Sequence, residues 1–133
     1  MISITTKSPY ALQALTELAR TGTTDPVPIG ELARRRDIPV QFLEQLFAVL
    51  RRAGLLRSQR GVHGGYAFAR EPGEITVLEV VELLEGEVGA GAATLGPPWS
   101  EMTDQVRAKL QGTTIADVAQ REAQEAGAAM YYI

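Results

Sequence analysis

The chain has 133 residues and a mass of 14.4 kDa, the size of one domain or of one small domain with an extension. It contains no cysteine and one histidine, which excludes disulfides, thiolate zinc sites, a cysteine nucleophile and ordinary cysteine-ligated iron–sulfur clusters. No apolar run reaches the roughly 18 residues of a membrane span, and the opening MISITTKSPY lacks a basic-then-apolar leader, so a cytoplasmic protein is expected. The net charge of −3 hides two unlike halves. Residues 1–70 carry ten Lys/Arg against five Asp/Glu, and residues 71–133 carry three against eleven. Only the first half is expected to meet a polyanion.

Ser8-Pro9 reads as an N-cap followed by proline at the first helical position. Leu12, Leu15 and Leu18 then recur at helical spacing until Gly22. Residues 23–28 read as a loop. A short helix follows from Gly30 to Arg36, then a tight turn at Asp37-Ile38-Pro39. A third helix runs from Val40 to Ala53. Segments 55–59 and 66–69 are strand candidates flanking a glycine-rich tip, which predicts a hairpin. Thr76 and Glu79 fit a capping box opening a helix through Leu78, Val81 and Leu84. Residues 86–98 are rich in Gly, Ala and Pro and read as a mobile loop. Trp99, Met102, Val106 and Leu110 recur as a narrow seam suited to a dimer interface. Gly112 ends that helix, and Thr114 caps another around Ile115, Val118 and Ala119. The expected organisation is a DNA-binding domain over 1–85, the loop, helices over 99–128, and a tail at 129–133. Helix, short helix, turn, helix and hairpin follow the order of a winged helix-turn-helix. The predicted fold class is therefore mainly α with a small β-wing.

The third helix carries the sharpest functional pattern. At 100° per residue from Gln41, Leu43, Leu46, Phe47 and Leu50 fall between about 140° and 240°, one apolar face. Gln41, Glu44, Gln45 and Ala48 fall on the opposite face, between about 300° and 40°. Gln can bond adenine and Glu can accept from cytosine, so this set can read major-groove edges. The same pattern also describes an ordinary solvated helix. At the hairpin tip Arg60 stands beside Gly61, Gly64 and Gly65. A phosphate-binding loop would need a helix after it, whereas an arginine on a glycine turn suits a narrow minor groove. The glycines also suit a plain turn that needs φ > 0. His63 reads as a wing residue near phosphate. Arg34, Arg35 and Arg36 read as a solvated helix end or as phosphate contacts. No nucleophile–base pair stands out, so no enzyme activity and no cofactor or metal site is expected.

The stretch FLEQLFAVLRRAGLLRSQRGVHGGY closely resembles the bacterial winged-helix regulator family that includes IscR, NsrR and CymR. The shared features are LEQL at 43–46, R-x-A-G-L at 51–55, R-G-x-x-G-G-Y at 60–66 and ITVLEVVELLEG at 75–86. Trp99 and TIADV at 114–118 also match, and SITTKSPYAL is similar to the family's S-T-K-G-R-Y-A-L opening. The resemblance implies a homodimer that binds a palindromic DNA operator, usually as a repressor. It implies DNA contacts from Lys7, Gln41, Glu44, Gln45, Arg51, Arg60, Gly61, His63, Gly64 and Gly65. Many members hold an iron–sulfur cluster on three cysteines in the loop matching 87–98; this chain has none of them. His63 stands where many members have glycine. Within the family, the cysteine-less branch of cysteine-metabolism repressors is the most similar, and its members work with cysteine synthase. The resemblance then makes Met130, Tyr131, Tyr132 and Ile133 a partner-binding tail; the alternative is a tail that straps onto its own dimer. The alternatives are a regulator of another pathway sensing a small molecule near Trp99, or a cysteine synthase subunit that has lost DNA binding.

Overall fold

A computed structural model gives the fold and describes residues 5–131, without the side chains of 129–131. The elements are α1 (Lys7–Arg20), α2 (Ile29–Arg36), α3 (Val40–Arg52), β1 (Leu56–Gln59), β2 (Gly65–Phe68), α4 (Val77–Glu85), α5 (Pro97–Gln111) and α6 (Ile115–Tyr131). Short 3₁₀ turns lie at Pro72–Glu74 and Ala92–Leu95. Among the described residues, six α-helices with one two-stranded antiparallel hairpin make the mainly α winged helix expected from the sequence. No helix among the described residues is long and apolar enough to cross a membrane.

Apolar stripes decide the packing. Leu15 from α1, Leu32 from α2, and Leu43, Phe47 and Leu50 from α3 are fully buried together with Leu55, Ile75, Val80 and Ile115. The buried face of α3 is the one its periodicity predicts. A second cluster gathers Val77, Leu78, Val81 and Val88, with Val106, Leu110 and Val118 packed against it. Val88 and Ala92 are buried, so the Gly- and Ala-rich stretch is anchored in the interior at two points.

Helix α1 starts one residue before the expected Ser8 cap, at Lys7, so that Ser8 and Pro9 fall inside the first turn. Proline is tolerated there because first-turn N–H groups have no intrahelical partner. Thr6 at the N-cap makes no side-chain cap bond; instead Thr5 Oγ1 accepts from the Lys7 N–H (3.2 Å), and Thr5 is held by α4. Glu85, at the end of α4, accepts from the Thr5 backbone N–H (2.8 Å) and from the Thr5 hydroxyl (2.7 Å). Burial pushes the Glu85 carboxyl up, but hydrogen bonds at the start of α1, that of Thr5 first, outweigh it and hold the group below its ordinary value.

The capping box at α4 is half made. Thr76 Oγ1 accepts from the Glu79 N–H (3.1 Å), while the Glu79 carboxylate accepts from Arg70 (2.6 Å). At α6 the box is complete: Asp117 N–H donates to Thr114 Oγ1 (3.1 Å) and Thr114 N–H donates to Asp117 Oδ2 (2.9 Å). The two helix starts are joined by backbone bonds from Val77 to Thr113 (2.8 Å) and from Ile115 to Ile75 (2.9 Å).

Candidate nucleic-acid interface

On α3, Gln41, Glu44 and Gln45 are exposed and Ala48 is half-buried, directly opposite the buried Leu43, Leu46, Phe47 and Leu50. The polar face selected from the sequence is therefore a solvent face held rigid from behind. Arg51 and Arg52 extend it, both exposed. Lys7 shares a small cleft with Phe42 and Gln45, which places the start of α1 beside the recognition face.

The wing is built by β1 and β2 in the register Leu56↔Phe68, Arg57↔Ala67, Ser58↔Tyr66 and Gln59↔Gly65. Its tip is closed by a hydrogen bond from Gly64 N–H to Gly61 O (3.0 Å). Arg60, Val62 and His63 are exposed at this tip. Gly61 has φ of 107° and Gly65 has φ of 142°, a region that favours glycine. Gly65 also has no room for a side chain, because a Cβ there would stand 2.2 Å from the Val27 carbonyl oxygen.

Val27 corrects the expectation of a plain loop over 23–28. Its N–H and carbonyl exchange two 2.8 Å hydrogen bonds with Tyr66, so it pairs with β2 as a one-residue third strand. A single paired residue has no alternation to read in the sequence. Tyr66 meets Phe47 edge-on, with centroids 5.2 Å apart. The wing is thus fixed to the inner face of the recognition helix on one side and to the α1–α2 connection on the other.

The cations separate into two groups. Arg20, Arg35, Arg36, Arg70, Arg107 and Arg121 are in salt bridges. Among the described residues, Lys7, Arg34, Arg51, Arg52, Arg60 and Lys109 stand in none, and Arg57 donates only to the Thr24 carbonyl (2.9 Å). All of these except Lys109, on α5, lie in the basic half, on α1, α2, α3 or the wing. The sequence marks Arg34 only together with Arg35 and Arg36, as a solvated helix end or phosphate contacts, and does not mark Arg52 or Arg57. Adjacency to Arg51 was the available signal for Arg52, and charge alone could not separate Arg34 from its paired neighbours. Val62, 95% exposed at the tip, was also passed over.

The seam of α5 divides. Val106 and Leu110 pack against the protein's own α4 cluster, whereas Trp99 and Met102 are 54% and 48% exposed. Leu83 and Leu95 are also exposed large apolar side chains. The tail falls largely outside the description: α6 continues through Tyr131, Tyr132 and Ile133 lie outside the described residues, and the side chains of Met130 and Tyr131 are not described.

The Rrf2 family, described as "Iron-dependent Transcriptional regulator", matches residues 4–121. The chain is 33% identical to the HTH-type transcriptional regulator CymR of Bacillus subtilis over 138 residues, covering 99% of this chain and 100% of CymR. It superposes on the structure of CymR, the global cysteine regulator of B. subtilis, with a TM-score of 0.82 and 32% identity, over 91% of this chain and 98% of that one. T. potens IscR superposes with a TM-score of 0.78 and 35% identity, over 94% of this chain and 90% of that one. An outward polar face on a helix after a tight turn, a hairpin wing beside it and unpaired cations around both are what a DNA-binding winged helix requires, and with matches over nearly the whole length the chain belongs to the Rrf2 family of transcriptional regulators.

Proposed function

We propose that the protein is a homodimeric, cytoplasmic repressor that binds a palindromic DNA operator through α3 and the wing, without a cofactor. The observation that carries this reading is the segregation of charge. Lys7, Arg51 and Arg52, none in a salt bridge, stand beside the exposed Gln41, Glu44 and Gln45, and Arg60 is exposed on the wing, while Arg20, Arg35, Arg36 and Arg70 are neutralised internally. The residues do not fit the iron named in the family's description as an iron–sulfur centre. There is no cysteine, the one histidine stands at the wing tip, and no group of three or more His, Cys, Asp or Glu among the described residues could hold a metal.

In the proposed complex Arg60 enters the minor groove, where negative potential favours a guanidinium, and Gln41, Glu44 and Gln45 face base edges in the major groove. Lys7, Arg51 and His63 lie against phosphates, and Gly61, Gly64 and Gly65 let the wing backbone come close. The test uses a duplex selected by the protein from a random pool. Arg60→Ala is expected to weaken binding to it by about 1–3 kcal/mol, and Glu44→Ala to relax sequence preference. Unchanged binding by both at fixed salt would remove the groove assignment.

Two-fold assembly sets two recognition helices one DNA turn, about 34 Å, or a multiple of it apart. Trp99 and Met102 supply the exposed apolar surface for this contact, with Val106 and Leu110 beneath them. Trp99→Glu is expected to give a monomer in sedimentation at micromolar concentration; a dimer of unchanged stability would move the interface elsewhere.

The regulated genes are proposed to be those of cysteine or sulfur metabolism, with a cysteine synthase as partner. Support comes from the similarity to the cysteine regulator CymR over nearly the full length. In this reading Met130, Tyr131, Tyr132 and Ile133 dock in the enzyme's cleft, the two tyrosines adding apolar area while their hydroxyls stay wet. Deleting Ile133 is expected to abolish capture of cysteine synthase and leave thermal stability unchanged. Full capture by the truncated protein would exclude the docking.

A further inference from the structure

Arg36 is the last residue of α2, one position before the left-handed Asp37 (φ 54°) that turns the chain toward the recognition helix. All three of its guanidinium nitrogens donate to carboxylates. Nη1 and Nη2 donate to Glu122 Oε2 (3.2 Å) and Oε1 (2.8 Å), and Nε donates to Glu17 Oε1 (2.9 Å). Glu122 lies on α6 and Glu17 on α1, so one planar fork ties three helices. Arg20 adds a second donor to Glu122 (3.1 Å), and Arg35 a second donor to Glu17 (3.2 Å). The Arg36 and Glu17 side chains are only 17% and 18% exposed, which sets this pairing apart from a solvated surface bridge.

The occupied fork has two consequences. The paired edge of Arg36 is taken by Glu122 and so is not offered to a phosphate, although the residue sits in the most basic stretch of the chain. And the path from α6 to the recognition helix is short. Residues 37–39 alone separate α2 from α3, and Ile38 is buried with its N–H bonded to Ala33 O (2.9 Å). A shift of Arg36 is therefore carried into α3 by a connection with little slack.

We propose that Glu122 is a positioning residue for DNA recognition: by holding Arg36 from α6, it fixes the exit of α2 and hence the aim of α3 into the groove. This rests on the DNA-binding reading above. The Glu122 carboxyl is held below its ordinary value, first by the Arg36 hydrogen bond, so the pair is fully charged at neutral pH.

The test compares the selected duplex with a random-sequence duplex of equal length, using the full chain. Glu122→Gln is expected to lose about five- to tenfold in affinity for the selected duplex, with the random duplex unchanged within about twofold, since a merely positioning role leaves phosphate attraction intact. Arg36→Gln should show the same loss with an unchanged salt slope, and the double variant should lose no more than either single. Glu122→Asp, which keeps the charge, should recover most of the preference; it also serves as the readout if Glu122→Gln fails to fold. Full preference in Glu122→Gln would overturn the proposal. So would losses that multiply in the double variant, a salt slope lowered by about one in Arg36→Gln, or no recovery in Glu122→Asp. Arg60→Ala separates the two readings: if it loses affinity while Glu122→Gln does not, DNA binding stands and the positioning role falls.

Discussion

Gly65→Ala is expected to detach the wing and to destabilise the protein by about 4 kcal/mol, strain and overlap together. The φ of 142° already disfavours any L side chain. The added Cβ would also stand 2.2 Å from Val27 O and 2.3 Å from Val27 C. Both atoms belong to backbone held by two hydrogen bonds to Tyr66, so neither can yield without breaking that pairing. Gly61→Ala is the matched control. Its φ of 107° is strained as well, but a Cβ there meets nothing within 4 Å, so only the strain of about 1–3 kcal/mol applies. Thermal unfolding should separate the two variants by several degrees. Hydrogen exchange at the Tyr66 N–H should accelerate only in Gly65→Ala. Equal melting temperatures for both would show that Val27 does not hold the wing.

Phe47→Ala is expected to cost about 3–5 kcal/mol. Phe47 is fully buried, comes from the recognition helix and meets Tyr66 of the wing edge-on. Truncation leaves a cavity between the two elements that touch DNA and removes the aromatic contact. Against a total stability of about 5–15 kcal/mol for an ordinary domain, this loss removes between a fifth and nearly all of it. Phe47→Leu, which conserves most of the volume, should cost under about 1.5 kcal/mol. A melting temperature for Phe47→Ala within about 3 °C of the parent would place the core elsewhere.

What the sequence could show is what local pattern controls. The two faces of α3, the hairpin and the Thr114 cap were legible because helical period, turn glycines and capping residues act within a few positions of one another. The partners of Arg36 were not, because Glu122 lies 86 residues away and nothing local marks it as an acceptor. Read alone, Arg34, Arg35 and Arg36 are three equal cations; the fold pairs the last two and leaves only Arg34 without a salt bridge among the described residues. The α5 seam failed differently. Trp99, Met102, Val106 and Leu110 do point one way, but the α4 cluster covers only Val106 and Leu110. Periodicity gives the direction of a side chain, and cover depends on how far the neighbouring elements extend. Val27 was hidden because one bridged residue between prolines leaves no strand signature.

The most direct measurement is the affinity of the unmodified protein for the selected duplex and for the random one, across salt from about 50 to 200 mM. Groove binding by α3 with cationic support from α1, α3 and the wing predicts a linear fall of log K with log salt for both duplexes, with a slope steeper than about −4 for the selected one. It also predicts a preference for the selected duplex that persists at every salt concentration, because base contacts release few counterions. A flat salt dependence, or a preference that vanishes as salt rises, would contradict recognition by this surface.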